Sequence, residues 1–196
     1  MKNYLLALLL FPTLLFSQNI NYSYITYLSE GIDTKTIAKE ISQFRAKEFI
    51  INSIIGSSNG EAIKFETESL ASDDSGGLVS VAYNCDQANK RGLLLAFVGD
   101  NKNQDGLLLK AYGFRAISLD EAKLLLEKID KLREEHNKYL GTDTNVNNVY
   151  LEYEDIKFIL YKDGGSKIRV LWNGFEIVWE DTAFNRSKRR LDKWFK

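Results

Sequence analysis

The amino-acid sequence predicts an α+β fold: a mostly antiparallel β-sheet of meanders and hairpins with about three helices, the last of them C-terminal. Alternating apolar and polar residues recur in short runs, which is the period of a strand with one buried face. Turn-forming segments rich in Gly, Asn and Asp separate these runs, and short connections favour antiparallel neighbours. Further stretches carry apolar residues at helical spacing and supply the predicted helices.

The stretch Trp172-Asn173-Gly174-Phe175 is the clearest of these signals. Asn-Gly between two alternating runs predicts a two-residue hairpin, because a type I′ turn needs positive φ at both central positions. The turn fixes a register that places apolar pairs on one face, which we expect to be core: Trp172 with Phe175, Val170 with Ile177, and Ile168 with Trp179. The other face carries charges: Lys167 opposite Glu180, and Arg169 diagonal to Glu176 and Glu180.

The N-terminus has the pattern of a secretory signal peptide over residues 1–17. Lys2 gives a basic start, an apolar run extends from Tyr4 to Phe16, and the small residue Ser17 follows. The run is shorter than the roughly 20 residues that span a bilayer as a helix, although an uncleaved anchor is the alternative. We therefore expect an exported protein, periplasmic or secreted, with no transmembrane span in the mature chain.

Residues 18–196 are long enough to bury a core, either as a single α+β domain or as two packed subdomains, 18–141 and 149–196. Lys and Arg total 26 against 27 Asp and Glu, and this balance gives no steering toward nucleic acid. Cys85 is the one cysteine, so the chain can form no intramolecular disulfide. We expect it to be a small buried residue at a strand end.

The first half of the mature sequence predicts one helix and four strands. Asp33 can cap a helix over 34–47, and the apolar stripe of this helix is formed by Ile37, Ile41 and Phe44. The Ile-rich stretch 49–55 fits either more helix or a short buried strand. The strands are predicted at 61–68, 78–84, 92–98 and 107–114, with a turn at 73–77 and a polar loop at 99–106.

The second half begins with a helix that Ser118 and Glu121 open, because they have the spacing of a capping box. This helix ends near Leu140, before Gly141. Three strands follow, at 149–161 with a break at Glu154-Asp155, at 167–172 and at 175–180. Asp181 is then expected to cap a final helix over 182–195.

The loop from Asn101 to Gly106 spaces oxygen-bearing side chains at every second position, as the first half of a calcium loop does. Asn101, Asn103 and Asp105 are therefore candidate calcium ligands. The loop departs from the calcium pattern because its first ligand is Asn, its twelfth position is Tyr112, and strands flank it. The default interpretation is a hairpin loop, and we expect no cofactor.

Carboxylates cluster in three places: Glu152-Glu154-Asp155, Glu176-Glu180-Asp181 and Asp73-Asp74. Paired carboxylates can hydrolyse glycosidic bonds. These clusters, however, lie on a strand's polar face, in a cross-strand charge ladder and in a turn. No phosphate loop, nucleophile elbow or dinucleotide fingerprint accompanies them. The pattern favours solvated faces over a catalytic site.

The final helix is basic and amphipathic. Its apolar side carries Phe184, Leu191, Trp194 and Phe195. A candidate interaction surface lies on the rest of the helix: Arg186, Arg189, Arg190 and Lys193. These cations could contact an anionic membrane or an acidic partner. The interpretation we favour is that the apolar side closes the C-terminal sheet and the cations form a solvated face.

The absence of recognisable catalytic motifs favours a non-catalytic binding or interaction protein of the cell envelope or exterior. The alternatives are a secreted carboxylate-based hydrolase and a sugar-binding protein. The sugar-binding alternative depends on tyrosines that can stack on sugar rings if they are exposed: Tyr22, Tyr24, Tyr27 and Tyr150. The expected partners are an envelope protein, an anionic surface or a saccharide, and nucleic acid is not among them.

Overall fold

The computed structural model describes residues 23–28, 33–73, 75–141 and 145–196, so the predicted signal peptide and Tyr22 lie outside the described residues. The strands in these ranges are β1 Ser23–Tyr27, β2 Glu66–Ser72, β3 Leu78–Cys85, β4 Lys90–Lys102, β5 Leu108–Ser118, β6 Val149–Tyr153, β7 Ile156–Lys162, β8 Ser166–Trp172 and β9 Phe175–Glu180. The helices are α1 Thr34–Glu40, α2 Ala46–Phe49, α3 Leu119–Glu135, α4 Asn137–Leu140 and α5 Asp181–Trp194. Two π-helical turns, Ile41–Arg45 and Ile50–Ile55, join α1 and α2 into one helical segment over 34–55, and Asp86–Ala88 is a 3-10 turn.

The strands form one curled sheet of antiparallel neighbours, ordered β1-β5-β4-β9-β8-β7-β6 along its main path. Strands β2 and β3 branch from this path, because β3 pairs with the first part of β4. Strand β9 pairs with β4 only near the C-terminal end of β4, where Phe175 pairs with Asn101. Two meanders, β2 to β5 and β6 to β9, are therefore joined at β4. The predicted α+β class with a C-terminal helix is confirmed.

The sheet formed by β1 to β5 is covered on both faces. One face packs against the other half of the curled sheet, β6 to β9, and against α3 and α5. We call the residues buried between them the inter-sheet core, which contains Trp172, Trp179 and Phe184. The opposite face packs against the helical segment 34–55 through side chains such as Ile41 and Phe49. Burial on both faces explains why the middle of β4 is apolar without alternation.

The inter-sheet core draws residues from both sides of the predicted subdomain boundary. Leu95 of β4 and Val170 of β8, for example, are both fully buried in it. The division of residues 18–196 into one domain or two packed subdomains stays a prediction. Cys85 is buried at the end of β3, as expected.

The β8–β9 hairpin has the predicted register, and the three apolar pairs lie opposite each other as expected. Asn173 and Gly174 have φ values of 43° and 86°, which the type I′ turn requires. The charged face is also as predicted, because Arg169 forms an ion pair with Glu176. The break in the preceding strand is confirmed by the β6–β7 turn, where Glu154 has a φ of 51°.

The strand predicted at 61–68 is wrong in its position, because the structure places it at β2, several residues later. A register shift occurs between Ser69 and Ala71 where β2 pairs with β3. This β-bulge leaves Leu70 and Ala71 buried beside each other, so the segment does not show the alternation of a regular strand.

The polar loop predicted at 99–106 is also wrong in extent, because β4 continues to Lys102. The extension is polar but ordered by contacts with the β8–β9 turn. Asn101 is buried, and its Nδ2 donates to the backbone oxygen of Asn173 at 2.8 Å. A polar sequence therefore forms a strand here because a second hairpin satisfies its side chain.

One residue of the apolar stripe that was predicted for the helical segment is not buried. Phe44 was expected on the stripe but is 69% exposed. The π-helical turn Ile41–Arg45 holds one residue more than an α-helical turn, so the buried positions step from Ile41 to Ala46. The stretch 49–55, for which helix and strand were both open, is helical.

The three predicted N-caps differ in outcome. Asp33 caps α1 as expected, because its Oδ2 accepts from a backbone N–H of the first turn at 3.1 Å. Ser118 instead donates to the carboxylate of Glu121 at 2.6 Å and makes no capping bond to the backbone. Asp181 is the first residue of α5 and pairs with Arg133 of α3. No helix in the described ranges is long and apolar enough to cross a membrane.

Candidate functional site

A cleft of about 350 Å³ opens between the helical segment and the edge of the sheet formed by β1 and β5. Its volume falls within the roughly 300–1,000 Å³ of small-molecule sites. Three elements line it: Tyr24, Thr26 and Leu28 from β1 and the residue after it, Tyr112 and Phe114 from β5, and Arg45, Glu48, Phe49, Asn52 and Ser53 from the helical segment.

The strand wall of the cleft follows from the pairing of β1 with β5. Successive side chains of a strand point to opposite faces, so Tyr24, Thr26 and Leu28 share the face that looks toward the helical segment. The antiparallel register places Tyr24 opposite Phe114 and Thr26 opposite Tyr112. Two neighbouring cross-strand pairs therefore supply most of this wall.

The helical wall follows from residues that recur every three or four positions on one side of the helical segment. Arg45 ends the first π-helical turn, and Asn52 and Ser53 lie within the second. Each π-helical turn rotates the residues that follow it around the helix axis, because it holds one residue more than an α-helical turn. Such turns are frequent at functional sites in other proteins. Here they flank the part of the helix that faces the cleft.

Aromatic rings form the floor of the cleft. Phe49 stacks on Phe114 with ring centroids 5.0 Å apart, and Tyr112 meets Phe114 edge-on at 5.7 Å. These three rings are buried, whereas Tyr24 is 50% exposed. The arrangement gives a packed apolar floor and one accessible ring at the edge of the cleft.

Charged side chains of the helical segment form the rim. Arg45 Nη1 lies 3.2 Å from Glu48 Oε2, and Arg45 Nε lies 3.8 Å from Glu40 Oε2. The hydrogen bond to Glu48, together with the nearby Tyr112, raises the pKa of the Arg45 guanidinium above its ordinary value. The rim thus holds one permanent cation and one carboxylate, Glu48, while Glu40 contacts Arg45 from outside the cleft lining.

Thr26 carries the least expected feature of the cleft. Among the described residues, its Oγ1 is the one buried side-chain nitrogen or oxygen with no hydrogen-bond partner. A buried hydroxyl without a partner costs about 1–3 kcal/mol. Native proteins satisfy nearly all such groups, so this oxygen is an exception. It has almost no accessible surface and therefore lies beneath the strand wall of the cleft, out of direct reach of a ligand.

The candidate calcium residues lie away from this cleft, at the end of the β4–β5 hairpin. Asn101 is held by the β8–β9 turn, and Asn103 Oδ1 accepts from the backbone N–H of Leu107 at 2.8 Å. Asp105 lies in the turn between the strands. Two of the three side chains are therefore used to shape the hairpin. Within the described residues no group of three or more His, Cys, Asp or Glu could hold a metal ion.

The four cations of the candidate interaction surface on α5 are all exposed: Arg186, Arg189, Arg190 and Lys193. Arg190 is tied to β2, because its Nη1 donates to the backbone oxygen of Leu70 at 2.8 Å. The apolar side is used within the molecule, where Phe184 and Leu191 are fully buried, as the favoured interpretation expects.

Basic side chains hold most of the first two carboxylate clusters. Asp73 instead accepts from the backbone N–H groups of Gly77 and Leu78, and Asp74 lies outside the described residues. Arg115 of β5 is buried, and its guanidinium binds both Glu154 and Asp155, the latter at 2.8 Å. Burial alone would raise the pKa of Asp155, but hydrogen bonds from Arg115 and from Trp172 Nε1 outweigh it, so the pKa lies below its ordinary value. This network connects the two meanders and leaves the carboxylates occupied.

A further exposed feature is the tip of the β4–β5 hairpin. Leu107, Leu108 and Leu109 are 59%, 69% and 41% exposed. Neighbouring exposed apolar side chains of this kind can mark contact surfaces. Asn101 and Asn103 near the tip are already bonded within the molecule, so the cleft is the stronger candidate for a ligand site.

Sequence reasoning found one residue of the cleft, Tyr24, and missed the others. The alternation of Tyr24, Thr26 and Leu28 was available as a signal, although the surrounding sequence has no clear period. The five-residue step between the apolar residues Ile41 and Ala46 could have indicated a π-helical turn. The convergence of these segments could not be read locally.

No protein family, curated protein or solved structure matches this chain. The geometry and chemistry of the cleft are what point to a function.

Proposed function

We propose that this protein is an exported, non-catalytic binding protein of the cell envelope or exterior that holds a small-molecule ligand in the cleft. The pattern over residues 1–17 supports export. The aromatic floor, the polar rim and the volume of the cleft together support a ligand site, because small-molecule sites combine apolar walls with a few oriented polar groups.

The observation that carries the proposal is the combination of an aromatic floor and a polar helical wall in one cleft. Three packed rings form the floor, and Asn52, Ser53 and the Arg45–Glu48 pair lie beside the half-exposed ring of Tyr24. Small-molecule sites combine apolar walls with a few polar groups in this way.

Binding is favoured over hydrolysis by the distribution of carboxylates. Most glycosidases use two carboxylates that flank the scissile bond. Among the described residues, Glu48 is the one carboxylate that lines the cleft, and it is paired with Arg45. The Glu154–Asp155 pair is bound by Arg115 on another face of the sheet. No two carboxylates therefore face each other across this cleft.

The exposed cations of α5 support a second contact, with an anionic surface or an acidic envelope protein. Arg186, Arg189 and Lys193 face solvent, and the buried apolar side keeps the helix attached to its own sheet. Such a contact would be electrostatic and would weaken as salt is added. Vesicle co-sedimentation of the whole chain at low and high salt would test it.

The ligand proposal is tested by screening the purified chain against a panel of sugars, amines and small carboxylic acids by ligand-observed NMR. We expect at least one compound class to bind, and binding to be lost in Tyr24→Ala and Asn52→Ala. Tyr150→Ala is the matched control, because Tyr150 is similarly exposed at 56% but lies on β6, outside the cleft. Binding that survives both cleft variants, or no binding by any class, would contradict the proposal.

A further inference from the structure

We infer that the ligand of the cleft is a neutral saccharide, an inference that rests on the proposed small-molecule site. The argument uses three properties of the lining residues: their charge balance, their hydrogen-bonding capacity and the exposed aromatic ring. Each property excludes a different class of ligand.

The charge balance of the rim disfavours charged ligands. Arg45 is the one described cation lining the cleft, and it contacts both Glu40 and Glu48. An acidic ligand would have to compete with two carboxylates for this guanidinium. A cationic ligand would meet the guanidinium at the same place, where repulsion opposes the attraction of the carboxylates. A neutral ligand faces neither conflict.

The hydrogen-bonding groups of the lining suit a ligand with several hydroxyls. Arg45 donates only, Glu48 accepts only, and Asn52 and Ser53 can do both. A sugar hydroxyl also donates and accepts, so adjacent hydroxyls can bridge a donor and an acceptor that already lie side by side. Arg45 and Glu48 are such a pair. A purely apolar ligand would cover these polar groups without offering them partners.

The exposed ring of Tyr24 supplies the remaining contact. The C–H face of a sugar ring is apolar and can lie against an aromatic face while the hydroxyls point outward. Tyr24 is half exposed at the cleft edge, and its cross-strand partner Phe114 is buried in the floor. A ring bound against Tyr24 would place its hydroxyls toward the helical segment, where the polar side chains are.

The test compares neutral and acidic sugars that share a ring, with choline as a cationic ligand. Oligosaccharides of glucose, galactose and N-acetylglucosamine are titrated into the whole chain by calorimetry. Glucuronate and galacturonate oligomers and choline are titrated in the same way. We expect one neutral series to bind at least about 10-fold more tightly than its acidic counterpart, which corresponds to about 1.4 kcal/mol.

Three variants report on the three properties. Tyr24→Ala should weaken the neutral saccharide about 10-fold or more, whereas Tyr24→Phe should retain most of the affinity because the ring remains. Asn52→Ala should weaken it about 2- to 10-fold, as the loss of one hydrogen bond does. Glu48→Gln should narrow the gap between neutral and acidic sugars, because it removes one of the two charges that compete for Arg45. Tyr150→Ala serves as the control and should bind as the native chain does.

The outcomes separate this inference from the proposed function. Cleft-dependent binding of the acidic sugars or of choline in preference to every neutral sugar would overturn the saccharide inference and leave the ligand site standing. The absence of cleft-dependent binding by any class would overturn both. A neutral sugar that binds equally well to Tyr24→Ala and Tyr24→Phe would show that ring stacking is not the basis of recognition and would also reject the inference.

Discussion

The two faces of the sheet formed by β1 to β5 bury polar groups in different ways. In the inter-sheet core, Ser80 and Ser187 share a hydrogen bond of 2.6 Å, and Trp172 Nε1 donates to Asp155 at 2.8 Å. On the opposite face, under the helical segment, the buried hydroxyl of Thr26 has no partner. We call the face that packs into the inter-sheet core the sealed face, because the buried polar groups named there are hydrogen-bonded. We call the face under the helical segment the open face, because it carries a buried hydroxyl without a partner.

The difference follows from what covers each face. Helices α3 and α5 and a second meander close the inter-sheet core, and Trp179 meets Phe184 of α5 edge-on at 5.1 Å. The helical segment covers the other face only in part, because β1 extends the sheet beyond it and the cleft opens between them. Stability should therefore depend on the sealed face, and ligand binding on the open one.

The largest expected effect is the loss of a core aromatic side chain from the sealed face. Trp179→Ala should lower the free energy of unfolding by about 3–5 kcal/mol, as truncation of large core aromatics does. Tyr24→Ala on the open face should cost less than about 1 kcal/mol, because the ring is half exposed. Urea denaturation of both variants measures the contrast. Equal losses would show that the two faces do not differ in this way.

The second prediction concerns acid and the Asp155 network of the sealed face. The pKa of Asp155 is depressed in the folded protein, so its contribution to stability is present above the unfolded pKa of about 3.9 and is lost as pH falls through the folded value. Asp155→Asn should lower the free energy of unfolding by roughly 1–2 kcal/mol at pH 7, less than a fully buried charged hydrogen bond contributes, because the carboxylate is 44% exposed and solvent screens it.

The difference between the native chain and Asp155→Asn should shrink on acidification below about pH 4. Burial raises the pKa of Asp73, whose contribution to the pH dependence has the opposite sign. That contribution is common to both proteins and cancels in the comparison. A difference that stays constant down to about pH 2 would mean that the carboxylate charge is not what Arg115 and Trp172 stabilise.

The network of Arg115, Asp155 and Trp172 also shows which kind of contact could not be predicted from the sequence. The β8–β9 register could be predicted because Asn173 and Gly174 determine a turn locally, and strand alternation does the rest. The contact between Arg115 and Asp155 spans forty positions and depends on how one meander lies on the other. Nothing in either local sequence specifies that placement.

The cleft could not be predicted from the sequence for the same reason, and a second reason adds to it. Its walls come from β1, β5 and the helical segment, which are separated in the chain. The π-helical turns then change which side chains face the sheet, so Phe44 is exposed where regular spacing predicts burial. Local helical periodicity fails where the backbone departs from the period on which the prediction depends.

A third prediction tests the paired hydroxyls of the sealed face. Ser80 Oγ contacts Ser187 Oγ and accepts from the backbone N–H of Ala71 at 3.1 Å. Ser80→Ala would leave that buried N–H without this acceptor, and we expect a loss of about 1–3 kcal/mol. Thermal or urea unfolding measures it. A neutral effect would indicate that the hydroxyl pair is dispensable even inside the sealed core.

A fourth prediction separates the cations of α5, which covers the sealed face. Arg190→Gln should cost about 1 kcal/mol, because it removes the bond to the backbone oxygen of Leu70 at the bulge of β2. Arg189→Gln is the matched control and should change the free energy of unfolding by less than about 0.5 kcal/mol, since exposed charges contribute little. If the two variants are equally neutral, Arg190 belongs to the solvated face after all.

The last prediction is on the open face and concerns the one substitution that we expect to cause no loss of stability. Thr26→Val replaces the hydroxyl with a methyl group and removes a buried polar atom. Because Oγ1 has no partner to lose and its burial without one costs about 1–3 kcal/mol, the free energy of unfolding should not fall and should rise by up to about that amount. Ser80→Ala provides the contrast, since it removes a hydroxyl of the same kind whose bonds are made. Equilibrium unfolding of the two variants under one set of conditions decides the matter. A loss of about 1 kcal/mol or more in Thr26→Val, close to that of Ser80→Ala in size, would mean that Thr26 is satisfied in solution and that the open face buries no unpaired hydroxyl.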